Sequence, residues 1–157
     1  ANPFPVIREF ARVMRKYGVR PEVEAFDTGA VAVAERLIGL GLLDPPLHFD
    51  LILGVPGGAP ATPRHLMCLV DSLPAGSTWT VAAIGRHELP MSTLAILMDG
   101  HVRVGFEDNV YYRRGVLAES NAQLVERVAR IAGELGREIA SPAEARQMLR
   151  LTAEEGT

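Results

Sequence analysis

Residues 101–109, HVRVGFEDN, carry an arginine and two adjacent carboxylates to the end of an alternating segment. Neighbouring side chains on a strand point to opposite sides, so one carboxylate can enter a cleft as a metal ligand while the other, leaving into the loop, acts as a base. Glu107 and Asp108 are the pair in question, and Arg103 has the strand parity of Glu107. An inward arginine needs a carboxylate partner, which is either Glu107 or a substrate. A polar turn before NVYY, with Arg103 in a structural ion pair, accounts for the same residues. Charged groups inside a sheet are costly unless paired.

Further candidates stand where other apolar segments end. Glu24 and Asp27 close PEVEAFDTG, and Arg86 with His87 follows TVAAIG, where a pair of donors can meet an anionic substrate. GVPGGAPAT (54–62) includes Gly57 and Gly58 and precedes a helix, so its backbone N–H groups could approach a phosphate or carboxylate; a tight packing turn would look the same. No GxGxxG or GK[ST] pattern occurs, no HxH or HExxH pair, and no GxSxG elbow. His48 and His101 begin their strands and read as structural; His65 lies in a helix. Cys68, in HLMCLV, reads as a small buried hydrophobe that forms no internal disulfide, which suits a reducing cytoplasm.

The elements that position these groups alternate. An amphipathic helix over 4–17 is followed by a short strand PEVEA, a helix over 30–40, and the nearly continuous apolar strand LHFDLILGV. Thr62 and Pro63 open a helix, TWTVAAIG is a third strand, MSTLAILMDG a helix, and HVRVGFED a fourth strand. After the loop NVYYRRGVLAES, Leu124, Val128, Ile131 and Leu135 mark the most regular helix, with Ser120 and Gln123 spaced as a capping box. SPAE opens a last short helix. Strands alternating with helices imply an α/β protein with a parallel sheet and right-handed crossovers. The useful groups gather at every strand's C-terminal end, which favours a (β/α)8 barrel over an open sheet whose site is confined to a switch point.

The 157 residues, 48% hydrophobic and 22% charged, suit one globular domain, and a net charge of −3 with no basic stripe argues against a nucleic-acid binder. No apolar run reaches the length of a membrane span, and no signal peptide is visible, so a cytoplasmic protein is expected.

PEVEAFDTG, LHFDLILGVPGGAPATP, AAIGRHELPM, GHVRVGFEDNVYYRRGVLAESNAQLVERV and GREIASPAEAR together resemble the C-terminal half of the beta-keto acid cleavage enzymes. The resemblance implies that residues 1–157 form half of a single (β/α)8 TIM-barrel domain, four strands with their helices, without the N-terminal half. It implies a reaction in which a beta-keto acid and acetyl-CoA give acetoacetate and a new CoA ester, with zinc held by two histidines of the missing half and by Glu107. Asp108 then matches the general base and Arg103 the arginine supporting the developing charge. Glu24 matches a substrate-side residue, while Gly57, Gly58, Arg86 and His87 lie where keto acid and CoA would approach. A chain of this extent alone would be inactive, and its open sheet edges favour a homo-oligomer. Two other readings stay open: a non-catalytic half-barrel for binding or assembly, and an α/β protein binding a phosphorylated metabolite through GVPGG.

Overall fold

The computed structural model describes residues 2–151. Helix α1 (Phe4–Lys16) leads into β1 (Glu22–Ala25), α2 (Thr28–Gly39), β2 (His48–Leu53), α3 (Pro63–Asp71), β3 (Thr78–Ala83), a 3₁₀ turn at Gly85–His87, α4 (Glu88–Leu97) and β4 (His101–Val102). The chain closes with β5 (Tyr111–Arg113), β6 (Val116–Leu117), α5 (Asn121–Glu134) and α6 (Pro142–Met148). Strands β1 to β4 lie side by side in chain order, all parallel. Caps set the helix starts: Asp27, Thr62, Ser120 and Ser141 each accept from the backbone N–H three residues on. Ser141 and Glu144 form the full capping box. At α5 the reciprocal bond is displaced, for the Gln123 side chain accepts from Glu119 N rather than from Ser120 N.

The register separates two faces. Val23, Ala25, Phe49, Leu51, Leu53, Trp79, Val81, Ala83 and Val102 pack with apolar residues of the helices into the hydrophobic core. The pairings Glu22–His48–Thr78 and Glu24–Asp50–Thr80–His101 run across the other face, which is therefore largely polar. At its lower end His48 Nδ1 meets Thr78 Oγ1 at 2.8 Å and His48 Nε2 meets Thr80 Oγ1 at 3.1 Å, and the His101 ring lies 6.2 Å away. Burial holds both imidazoles below the ordinary histidine range. His48 thus has the hydrogen-bonded, structural setting expected of it. His65 caps its own helix start, with Nδ1 2.7 Å from Thr62 Oγ1.

Three expectations are corrected. The fourth strand ends at Val102 instead of Asp108. Arg103 N still donates to Val81 O, but the chain then turns, and Gly105 O accepts from both Asp108 N and Asn109 N. Second, NVYYRRGVLAES is no plain loop: β5 and β6 pair as an antiparallel hairpin about Arg114-Gly115, where Gly115 takes φ 76°. Third, Cys68 is exposed, because α3 buries Leu66 and Leu69 and the intervening helical phase faces away.

One glycine is dictated by packing. A Cβ on Gly100 would run into the Trp79 ring, which lies against the α4–β4 connection. Gly100→Ala is therefore expected to destabilise the fold by about 1–3 kcal/mol or more through overpacking. A urea titration followed by Trp79 fluorescence would measure it, and an unchanged midpoint would contradict the packing described.

Candidate functional site

The polar face ends, beyond the C-termini of the strands, in a cluster organised by Arg103. Its Nε and Nη2 donate to both oxygens of Asp108 at 3.1–3.2 Å, and its Nη1 donates to Asp50 Oδ2 at 2.7 Å and Glu24 Oε1 at 3.3 Å. Glu107 Oε2 lies 3.5 Å from Nη2. Arg103 thus forms a two-pronged fork with Asp108, while Glu107, the partner that strand parity favours, stands at ion-pair distance without a hydrogen bond. Because β4 has already ended, Glu107 and Asp108 diverge from a turn rather than from a strand. Their side chains are 86% and 7% exposed, so one faces outward and the other lies within the cluster.

Several elements hold that turn. Gly85 N donates to Asp108 O at 2.8 Å, tying the turn to the end of β3. Glu88, buried at the start of α4, accepts from Gly105 N at 3.2 Å and from Asn109 Nδ2 at 2.9 Å. Asn109 in turn bonds both backbone groups of Tyr111, and Asn121 Oδ1 at the first turn of α5 accepts from Phe106 N at 2.8 Å. Burial pushes the Glu88 carboxyl above its ordinary value, against the opposing pull of the Asn109 and Gly105 bonds.

Asp50 is the deepest carboxylate among the described residues, 1% exposed in the middle of β2. Burial pushes its pKa from the ordinary 3.8 up to about 6, with Arg103 opposing the rise and Glu22, Glu24 and Asp108 adding to it. The folded state therefore holds this proton more tightly than the unfolded chain. The resulting stability is fully present below pH 3.8 and is lost as pH rises through about 6, a difference of at most about 3 kcal/mol. Chemical denaturation between about pH 4 and 7 should therefore decline less steeply in Asp50→Asn than in the unsubstituted chain, and parallel profiles would contradict this.

Arg103, Asp108, Glu24 and Glu107 come together in one charged cluster. The other sequence candidates lie on the connections that follow the neighbouring strands. Arg86 is exposed and its Nε donates to His87 Nε2 at 3.3 Å, so the two form a pair in the turn after β3. Gly54 N donates to Ala59 O and Gly58 N to Val55 O, closing the GVPGG loop on itself, while Ala59 N donates to Phe26 O and ties the loop to the end of β1. Gly57 takes φ 89° there, and a Cβ on Gly58 would stand 3.1 Å from Phe26 O. The Gly58 amide is thus not a free anion donor.

Two residues that hold this cluster together escape a sequence reading. Asp50 is hidden in an apolar run, where a single charge in a central strand is its one signal, and Glu88 follows Arg86-His87 with nothing to mark its burial. As for a metal, no group of three or more His, Cys, Asp or Glu side chains that could hold one occurs among the described residues. Four carboxylates do surround one guanidinium, an excess of negative charge that suits a cation, and Glu107 has an outward carboxylate to offer it. No helix among the described residues is long and apolar enough to cross a membrane.

Comparison with known proteins gives the chain a family and relatives. The family profile described as beta-keto acid cleavage enzyme matches residues 1–151. The chain is 54% identical over 150 residues to a 3-keto-5-aminohexanoate cleavage enzyme of Fusobacterium nucleatum, covering 96% of this chain and 54% of that protein. A protein of the same description from Acetoanaerobium sticklandii is 49% identical over 148 residues, 94% of this chain and 54% of its own length. The 3-dehydrocarnitine:acetyl-CoA trimethylamine transferase of Rhizobium meliloti is 42% identical over 151 residues, 96% of this chain and 50% of its own. The chain spans about half the length of these relatives. With its parallel sheet and its profile match over nearly every residue, the chain belongs to the beta-keto acid cleavage enzyme family.

Proposed function

We propose that residues 1–157 contribute the C-terminal half of a (β/α)8 barrel domain, and that the protein with both halves condenses a beta-keto acid with acetyl-CoA to give acetoacetate and a new CoA ester. The observation that carries this reading is the pairing of a nearly buried Asp108, gripped on both oxygens by Arg103, with an outward Glu107 one residue away. In this reading Asp108 removes the proton alpha to the keto acid's carbonyl, and the carbanion adds to the acetyl thioester and displaces CoA thiolate. The thiolate then adds to the original keto carbonyl, whose bond to the alpha carbon breaks to leave the new CoA ester and, once that carbon is reprotonated, acetoacetate. Arg103 neutralises charge as it develops, and it also fixes the Asp108 plane so that the base meets the proton in one orientation. Glu24, half exposed on the same guanidinium, borders the substrate, and Arg86 and His87 stand at the rim where an anionic group would enter.

Zinc, when bound, would polarise the ketone oxygen and so make the alpha proton more acidic. Glu107 would be its ligand from this chain, with the remaining ligands and the closure of the barrel supplied from outside residues 2–151. Association into a homo-oligomer and a cytoplasmic location accompany this proposal.

The test is a screen of beta-keto acids with acetyl-CoA, using a protein of the relatives' full length that includes these 157 residues. Acetoacetate and a matching CoA ester in equal amounts support the reading. A protein that binds zinc yet converts no keto acid in the screen would overturn it.

A further inference from the structure

Asp50 uses its two carboxylate oxygens unequally. Oδ2 accepts from Arg103 Nη1 at 2.7 Å, the shortest of the contacts Arg103 makes with carboxylates, whereas Oδ1 is buried with no hydrogen-bond partner among the described residues. A buried position on a central strand would be more stable with an apolar side chain, since a buried acceptor left unpaired carries a desolvation penalty. The neighbouring Glu22, Glu24 and Asp108 charges add to that penalty, and the raised Asp50 pKa of about 6 reflects it. Packing alone therefore gives no reason for a carboxylate at this position.

The contacts of Arg103 supply one. Its planar guanidinium offers Nε and Nη2 along one edge, both taken by Asp108, and Nη1 at the opposite end, taken by Asp50 with Glu24 at a longer distance. Held only along the Asp108 edge, the group could swing about its Nε–Cζ region and carry the Asp108 carboxylate with it. Glu24 is half exposed and 3.3 Å away, so it restrains Nη1 less than Asp50 does. We propose that Asp50 is a positioning residue, which clamps the Arg103 guanidinium from the end opposite Asp108 and so fixes the orientation in which the Asp108 carboxylate meets substrate. The clamp rests on geometry alone; its effect on turnover rests on the reading of Asp108 as the base.

Two measurements test it. In the 157-residue chain, NMR of the Arg103 side chain should show separate Nη1 and Nη2 signals from hindered rotation, and Asp50→Leu, which leaves no acceptor for Nη1, should average them. In a protein of the relatives' full length, Asp50→Asn and Asp50→Leu should lower kcat by about 10²-fold, the size of effect a small misplacement of a reacting group produces. KM for acetyl-CoA should stay within about twofold, because ground-state binding of that substrate is untouched. Thermal midpoints should be equal to or above that of the unsubstituted protein. Unchanged kcat, or a kcat loss that comes with a lowered thermal midpoint, would overturn the proposal by making Asp50 irrelevant or merely structural. If neither variant folds, averaged Arg103 signals in the unsubstituted chain would overturn it and resolved ones support it. Absent turnover in the unsubstituted full-length protein would instead refute the assigned function, while the NMR result would still decide whether the clamp exists.

Discussion

Replacing Asp108 by asparagine in a protein of the relatives' full length is expected to leave zinc bound and to cut turnover by about 10² to 10⁴. The amide has nearly the carboxylate's shape, and the turn that presents it is held by backbone and neighbouring side chains: Gly85 N on Asp108 O, Glu88 on Gly105 N, Asn121 on Phe106 N. None of those bonds uses the Asp108 side chain, so the turn should survive the change. What disappears is the capacity to accept the alpha proton. One amide oxygen can still receive a bond from Arg103, but the amide nitrogen presents hydrogens where Arg103 now finds an acceptor, so the fork is weakened as well. The check is kcat together with metal content by mass spectrometry on the same sample. Near-native turnover would return Asp108 to the role of a residue that merely closes a polar turn.

Glu107→Ala should behave differently, removing metal and activity together. Its side chain is 86% exposed and touches Arg103 only at 3.5 Å, so the fold has little use for it. Exposed substitutions of this kind usually change stability by no more than about 0.5 kcal/mol. A zinc site that loses one of its few protein ligands loses most of its affinity, and with it the polarised ketone. The expected signature is an unchanged denaturation midpoint, zinc well below one per protein, and turnover close to background. Stoichiometric zinc in this variant would place the metal elsewhere. The contrast between neighbouring residues is the useful part: adjacent carboxylates of the same chemistry should fail in two separable ways, one with metal and one without.

Much of the fold is legible in the sequence because its signals are local. The apolar runs of β2 and β3 and the caps Asp27, Thr62, Ser120 and Ser141 need no distant partner to be read. The end of β4 is different. Val-Arg-Val alternates as a strand should, yet whether the alternation continues as a strand depends on Glu88 and Asn121, which seize Gly105 N and Phe106 N from far along the chain. The hairpin β5–β6 is short and largely exposed, so it lacks the apolar period that marks a buried strand. In the site, the charged stretch 103–108 announces itself by composition. Its internal pairing is announced only in part: parity on a strand gives Arg103 the Glu107 ion pair, present at 3.5 Å, but not the closer fork with Asp108. Asp50 is the sharpest omission: one acid in LHFDLILG looks like an interruption of a core strand until its register places it beside Glu24 and Thr80, under Arg103.

The central claim is that these residues serve a condensation in which carbon from acetyl-CoA enters acetoacetate. It is tested most directly by supplying acetyl-CoA with 13C in both acetyl carbons, together with an unlabelled beta-keto acid, to the protein of full length. If the keto-acid carbanion attacks the thioester, 13C NMR should find the label only at C3 and C4 of acetoacetate, with the new CoA ester carrying an unlabelled acyl group. Label in that acyl group, or an unlabelled acetoacetate, would contradict the account.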